Sequence, residues 1–408
     1  MSHPSTIKIG TPGPPAASGR QRLSALVRRL AREQGLTVCA VTGADSFPGL
    51  EQHLVDHIAA GHMDGMDWFT PDRAAVSANP RRLMDRALSL VSVGVAYWSI
   101  DPGRPDDEPR GRISRYAWGI DYHKLLKRRM KALHRAIEAE LGHEVEARQL
   151  VDHARIVDRA VAARSGLGWY GKHSCIIVPG HGSWVMLGEL LLDLNLEPDP
   201  PLDRDCGRCR ICLTKCPTGA IVAPYTVSAP LCLSFQTIEQ RGAIPAEIRP
   251  KMGDWVYGCD ICQEVCPYTK AARPEPDPEF LPGHVDHAYP SLRWLLEMTD
   301  DEFRARYTGR ATLRTKRVGM ARNAAVALGN TGTDADLDTL ARAARYHDEP
   351  LVRGHAAWAL GRLVERDVTG GAGRDRIADA LISAWRDDPD KSVRAEAYAA
   401  LGGSVQGT

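Results

Sequence analysis

The 408-residue sequence predicts an α+β protein in three parts: a mixed helix-and-strand domain, a small cysteine-rich domain and a stack of paired helices. Three observations carry that reading. Strand-type apolar runs alternate with helical spacing up to about residue 200, eight of the ten cysteines fall within residues 206–266, and an Ala-rich segment ending in Leu-Gly recurs towards the C-terminus. A chain of this length holds two or three domains with cores of their own. Its 52 basic residues stand against 51 acidic ones, so only local clustering can report a polyanionic partner.

Residues 1–19 are rich in Pro, Gly and Ser and read as a disordered leader. The first domain is expected over residues 20–200, as an α/β or α+β unit. Residues 23–36 have helical spacing that stops at Gly35, and residues 90–98, Leu-Val-Ser-Val-Gly-Val-Ala-Tyr-Trp, read as a buried strand. Residues 122–141 read as a basic helix ended by Gly142, and further strands are expected at residues 174–178 and 184–192. Pro198, Pro200 and Pro201 mark the linker into a second domain over residues 201–275.

That second domain is defined by its cysteines. Cys206-x2-Cys209-x2-Cys212-x3-Cys216-Pro217 has the spacing of bacterial two-cluster ferredoxins, in which the fourth thiolate reaches the other cluster. Cys259-x2-Cys262-x3-Cys266-Pro267 repeats it without its first member, which Cys232 replaces. A ferredoxin-like fold with two [4Fe–4S] clusters and crossed ligands is expected: Cys206, Cys209, Cys212 and Cys266 on one, Cys216, Cys232, Cys259 and Cys262 on the other. Zinc ribbons use paired CxxC units and do not need two Cys-Pro endings with a lone cysteine midway. Disulfides need an oxidising compartment, and the chain opens without a basic stretch followed by an apolar one. No window reaches the ~18 uninterrupted apolar residues of a membrane span. A cytoplasmic protein is expected, with Cys39 and Cys175 left over as small buried hydrophobes.

Residues 276–408 repeat themselves. Arg353-Gly-His-Ala-Ala-Trp-Ala-Leu-Gly361 is echoed by Arg394-Ala-Glu-Ala-Tyr-Ala-Ala-Leu-Gly402 and, less regularly, by Arg322-Asn-Ala-Ala-Val-Ala-Leu-Gly329. Helix pairs of this period predict HEAT-like α-helical repeats, serving as a binding surface or as a buttress.

Two clusters alone would make an electron carrier, but a carrier does not need the polar constellation of the first domain. Gly119-Ile120-Asp121-Tyr122-His123 opens the basic helix, and Val151-Asp152-His153 precedes Arg164-Ser-Gly-Leu-Gly-Trp-Tyr-Gly-Lys-His173. Asp152 suits a general acid raised by burial or, equally, the N-cap of a helix starting near Ala154. The glycines of 166–171 fit a backbone approaching a ligand, or only a tight turn. Between Arg112 and Arg135 lie Arg115, Lys124, Lys127, Arg128, Arg129 and Lys131 against Asp121 alone; between Arg304 and Arg322 lie Arg306, Arg310, Arg314, Lys316 and Arg317 against no acid. Such stretches are solvated helix faces or phosphate contacts.

Residues 116–123, Val151-Asp152, residues 166–172, Leu231-Cys232-Leu233-Ser234-Phe235 and Tyr257-Gly258-Cys259-Asp260-Ile261-Cys262 occur in an order that resembles the epoxyqueuosine reductase family, over nearly the whole chain. The resemblance implies a cobalamin-binding catalytic domain, electrons passed from an unidentified one-electron donor through both clusters to cobalamin, and reduction of epoxyqueuosine to queuosine at the tRNA wobble position. It makes Asp152 the proton donor, with a pKa raised in a dry pocket, and places Ser114, Asp152, Ile176, Leu187, Ser234 and Asp260 near the cobalamin. It turns the basic stretches into phosphate contacts. No DxHxxG sequence supplies a lower-ligand histidine. The chain departs from the family's pattern at His153-Ala154-Arg155-Ile156, where a hydroxyl residue and a Pro are common, and at Tyr170 and His173, where Ile and Asn are frequent; His153 is then a second donor or adjusts the charge around Asp152. A monomer is expected. A cobalamin-dependent reductive dehalogenase of small organohalides and a non-catalytic electron carrier are the alternatives.

Overall fold

The computed structural model describes residues 18–403. Residues 1–17 of the expected leader lie outside them. Ser18 and Gly19 do not belong to a leader: α1 (Gly19–Glu33) starts there, with Ser18 accepting from the Gln21 amide while the Gln21 side chain caps Ser18 in return. Gly35, at φ +75°, ends the turn as its missing Cβ allows.

The first domain is built on one sheet. β1 (Val38–Gly43) is followed by α2 (Leu50–Ala59) and α3 (Pro71–Ser77), then by β2 (Ser89–Ala96) and the short β3 (Arg112–Ile113). α4 (Tyr122–Leu141) leads to β4 (Ala147–Leu150) and α5 (Asp158–Arg164); β5 (Trp169–Tyr170), β6 (Ile176–Ile177) and β7 (Val185–Leu192) complete it. The order is β1-β2-β7-β4 and every ladder is antiparallel. An α/β unit in the sense of parallel strands is thus not what forms; the α+β alternative describes it. Helices cover both faces, which explains why β2 is buried along its whole length and reads as one continuous apolar run. Val91, Val93 and Val95 pack with α1 and α4, whereas Leu90 faces Val161 of α5, the period-two alternation of a strand. Helix α4 closes at Gly142, φ +72°, and buries Leu125, Leu126, Met130, Leu133 and Ile137 while its basic residues stay outside.

The cysteine-rich part holds α6 (Ile211–Lys215), the hairpin β8 (Ile221–Ala223) and β9 (Thr226–Val227), α7 (Leu233–Ile238), β10 (Trp255–Tyr257), α8 (Ile261–Glu264) and α9 (Pro267–Lys270). It is welded to its neighbours. β10 pairs in parallel with β3, and the buried Asp260 accepts from the Ser114 hydroxyl at 2.5 Å and the Arg115 amide at 2.8 Å.

The remainder is helical: α10 (Leu292–Glu297), α11 (Asp300–Tyr307), α12 (Lys316–Thr331), α13 (Leu337–Tyr346), α14 (Pro350–Glu365), α15 (Gly371–Asp387) and α16 (Lys391–Ala400). The recurring glycines have a packing role. A Cβ on Gly329 would sit 2.9 Å from Ala359 of the next repeat, and one on Gly361 would sit 2.9 Å from Ala400 of the one after. The stack docks on the cysteine-rich part through the fully buried Arg322, which donates to the carbonyls of Gln236, Gln240 and Gly242, and through Asn323, which donates to those of Thr237 and Val256. No described helix is long and apolar enough to cross a membrane.

Candidate active site

Strand β4 and the residue after it deliver Leu150 and Val151 into the core, and the chain then breaks sharply at Asp152, φ +42°. A non-glycine residue in that region is strained, and it is kept there by its surroundings. The Arg73 guanidinium donates to the carbonyls of His153 at 2.9 Å and Ala154 at 3.0 Å, and itself lies 4.7 Å over the Trp68 ring. Helix α5 starts only at Asp158, after Val157, so the expected N-cap role of Asp152 does not arise.

The opening turn of α4 reaches Asp152 from the other side. Asp121 caps that helix by accepting from the His123 amide at 3.0 Å. The next two side chains meet the carboxylate: the Tyr122 hydroxyl donates to Asp152 Oδ2 at 2.6 Å, and His123 Nε2 stands 3.2 Å from the same oxygen. His123 Nδ1 in turn lies 2.8 Å from Asp121 Oδ1. The Asp152 side chain is 57% exposed, so the carboxylate stays open to a second partner.

The electrostatics overturn one expectation. Burial acts to raise the Asp152 carboxyl, but hydrogen bonds from His123 and Tyr122 outweigh it and hold the group below its usual range. Burial also opposes charge on His123, and the two flanking aspartates more than reverse that, pushing it up to about 9. At neutral pH the proton of this pair sits on the imidazole, and Asp152 is ionised. His153, 3.4 Å from Lys127 Nζ, is held low by burial and by Lys127 and stays neutral. The sequence placed Asp121, Tyr122 and His123 in one motif but gave no sign that they and Asp152 meet; Arg73 carried no signal at all.

The other expected residues fall into separate places. Ser114 and Asp260 touch, as described, and burial raises the Asp260 carboxyl. Ile176 and Leu187 share one apolar cluster with Leu167 and Val178. Ser234 sits next to Cys232 at the start of α7, and its amide and that of Phe235 bond the Cys232 thiol. The glycines of 166–171 serve internal packing: a Cβ on Gly166 would meet the Pro200 carbonyl at 2.1 Å, and one on Gly168 the Ile177 carbonyl at 2.6 Å.

All eight clustered cysteines are free thiols. Cys206, Cys209, Cys212 and Cys266 line one recess together with Lys172 and His173. Cys216, Cys232 and Cys259 form a second neighbourhood with Cys262: burial raises the thiols of Cys232, Cys259 and Cys262, and the nearby thiols raise them further. The first recess, with four sulfurs on its wall, suits a metal–sulfide core. Cys39 and Cys175 are half-buried, with burial pushing them up to about 12 and about 11, so both are inert thiols.

The basic stretches are mostly spoken for. Arg129 donates to the Gly35 carbonyl at 2.6 Å and to Asp277 at 2.5 Å, and Arg128 pairs with Glu279. Arg306 pairs with Asp286, Arg314 with Glu239 and Arg317 with Asp348, while Arg310 donates to the carbonyls of Trp118 and Gly119. Their long side chains cross between elements and find acids from distant sequence. As a set they are not free phosphate contacts; on α4, Lys124, Lys127, Lys131 and Arg135 make no salt bridge among the described residues.

Comparison with known proteins finds matches for parts of the chain and for nearly all of it. Residues 78–153 match the family described as Epoxyqueuosine reductase QueG, DUF1730, residues 205–269 match the 4Fe-4S double cluster binding domain, and residues 310–402 match HEAT repeats. The epoxyqueuosine reductase of Xanthomonas campestris pv. campestris is 37% identical over 86% of this chain and 98% of its own length. The chain belongs to the epoxyqueuosine reductase family. The Escherichia coli K12 epoxyqueuosine reductase is 38% identical over 85% of this chain and 90% of its own length. A crystal structure of an epoxyqueuosine reductase with an epoxyqueuosine-modified tRNA-Tyr stem loop superposes with a TM-score of 0.85 and 31% identity, covering 93% of this chain and 98% of that one. The epoxyqueuosine reductase of Streptococcus thermophilus follows at a TM-score of 0.82 and 31% identity, covering 92% and 97%. This epoxyqueuosine reductase family member is an oxidoreductase with a double [4Fe–4S] domain and HEAT repeats.

Proposed function

We propose that this chain reduces epoxyqueuosine to queuosine at the wobble position of tRNA, as a cytoplasmic monomer fed by an external one-electron donor. Cys206, Cys209, Cys212 and Cys266 hold one [4Fe–4S] cluster and Cys216, Cys232, Cys259 and Cys262 the other. Ser114, Ile176, Leu187, Ser234 and Asp260 are the residues that would lie near cobalamin, which when bound would supply a low-potential redox centre. Leu187 and Ser234 are half-buried and could meet such a group, whereas Ser114, Ile176 and Asp260 are buried, with Asp260 already accepting from the Ser114 hydroxyl and the Arg115 amide.

The observation that carries the reading is the Tyr122–His123–Asp152 constellation, with its carboxylate open on one side. An epoxide oxygen expelled without a proton leaves as an alkoxide, which is costly, and a positioned acid removes that cost. Here the acid is the His123–Asp152 pair. His123 holds the proton on Nε2, hydrogen-bonded to Asp152, and Asp152 passes it to the departing oxygen as substrate and cofactor exclude water. Tyr122 fixes the carboxylate's direction. A base in a stem-loop must be extruded to reach this depth, and Lys124, Lys127 and Lys131 line the approach with unpaired positive charge.

Anaerobic purification with metal analysis tests the cofactor set: about eight iron atoms and one cobalt per chain are expected. Iron without cobalt in a protein active on epoxyqueuosine-tRNA would remove cobalamin from the scheme.

A further inference from the structure

The wall of the first cysteine recess contains a side chain with one unexplained atom. His173 is 4% exposed and lines the recess beside Cys206, Cys209, Cys212 and Cys266. Its Nδ1 accepts from the Cys175 backbone amide at 3.1 Å. A neutral imidazole with one nitrogen accepting carries its hydrogen on the other, so the tautomer is fixed: Nε2 is the donor. That Nε2 is buried and has no hydrogen-bond partner. Leaving a buried N–H unpaired is costly, and an orphan of this kind calls for an absent acceptor.

The local chain is shaped to put the ring there. Residues 171–175 form a tight turn in which the Gly171 amide donates to the Cys175 carbonyl and the Ser174 amide to the Gly171 carbonyl, each at 2.8 Å, with Ser174 at φ +67°. The ring lies flat against Gly171, where a Cβ would come within 2.6 Å of His173 Cε1. Lys172 ties the turn to the first cysteine loop by donating to the carbonyls of Gly207 at 2.6 Å and Cys209 at 3.0 Å, and the Ser174 hydroxyl ties its far end to the Tyr225 carbonyl at 2.9 Å. The imidazole is held in the recess wall, with its one unpartnered donor buried there.

We propose that His173 Nε2–H donates a hydrogen bond to a sulfur of the cluster bound by Cys206, Cys209, Cys212 and Cys266, and thereby raises that cluster's reduction potential relative to its neighbour. The reduced cluster carries one more negative charge than the oxidised one, so a fixed donor stabilises it preferentially. The step moves one electron from the external donor onto the cluster, and Nε2 keeps its hydrogen throughout. A higher potential at this cluster makes it the site where an arriving electron settles first.

The inference rests on the ligand set given above, and the experiment separates the two. Wild-type protein grown with 15N-histidine is reduced and examined by pulsed EPR. A 15N coupling to one cluster, lost in His173→Phe, is expected. EPR-monitored titration of His173→Phe should show one midpoint lowered, by about tenfold in the reduction equilibrium or about 59 mV for one electron, and the other unmoved. His173→Gln, which keeps an N–H at the same reach, should recover most of the shift. Two reducible clusters with no histidine coupling in the wild type would overturn this inference alone. A wild-type protein without two reducible clusters would overturn the ligand set and this inference together. Should His173→Phe lose iron, the wild-type coupling and the His173→Gln midpoint decide the matter.

Discussion

The carboxyl groups of Asp158 and Glu189 meet behind the turn that carries Asp152. Glu189 is fully buried in the middle of the sheet, opposite Ser92 on one side and Leu150 on the other, with neither oxygen met by a donor. Asp158 leads helix α5 and also accepts the backbone N–H of Asp152. Burial pushes both acids up; Asp158 raises Glu189 further, while the hydrogen bond with Glu189 partly offsets the burial of Asp158. Two carboxyls so placed share one proton, and the protonated member donates to its partner.

A pH dependence of stability follows from that pair. Raised acids bind more protons folded than unfolded, so their stabilising contribution is complete below the usual carboxylate pKa and is lost as pH rises through the raised values. Glu189→Gln keeps a donor and removes a charge. Thermal unfolding of the variant should show a flatter fall in Tm between about pH 5 and pH 8, with a gain of roughly 1 kcal/mol at neutrality. An unchanged slope would mean that the two groups do not share a proton.

The proton donor itself is tested by Asp152→Asn and His123→Gln. Each should slow turnover on epoxyqueuosine-tRNA by ~10²-fold or more, the usual size of general acid catalysis, while iron content and tRNA affinity persist. With the imidazole titrating at about 9, wild-type activity should decline as pH rises through that value, and His123→Gln should lack this limb. The ion pair behaves in parallel: its contribution from His123 is full below the usual histidine pKa and lost as pH rises through about 9. Wild-type turnover by Asp152→Asn would move the role to His123 acting through water.

Crossed ligation predicts unequal damage. Cys232→Ala should lose about four of eight irons, with the cluster of Cys206, Cys209, Cys212 and Cys266 retained. Equal iron in variant and wild type would strike Cys232 from the ligand set.

The basic face of α4 divides between two roles. Replacing Lys124, Lys127 and Lys131 by Gln should weaken tRNA binding and lower the salt slope by roughly 2, because fewer counterions are released. Arg129→Gln should instead lower Tm and leave the slope alone, since its guanidinium joins Gly35 and Asp277 across the fold. A salt slope unmoved by the lysine changes would return α4 to a merely solvated face.

Local signals were legible wherever a local rule was sufficient. Gly142 and the apolar period of α4 set its ends and buried face, and the continuous run of β2 announced a strand covered on both sides. The cysteine spacing and the HEAT repeats were readable for the same reason, being patterns within short segments. Tertiary partners were not. The acids that neutralise Arg129, Arg306, Arg314 and Arg317 are distant in sequence or carry no pattern, so a charge count over a window mistook internal ties for a phosphate track. The pKa of Asp152 failed likewise: burial was foreseeable from its apolar neighbours, but the opposing His123 is supplied by another element.

The carbonyls that Arg322 and Asn323 receive from residues 236–256 would be left bare if the helical stack were removed. A truncation ending near residue 275 would expose those groups together with the apolar surface that Ile113, Trp118 and Tyr257 share with α12. The cysteine-rich part therefore has no complete surface of its own, and a change that removes the helical stack, far from any cysteine, also leaves unsatisfied the groups that pack around Thr237 and Val256.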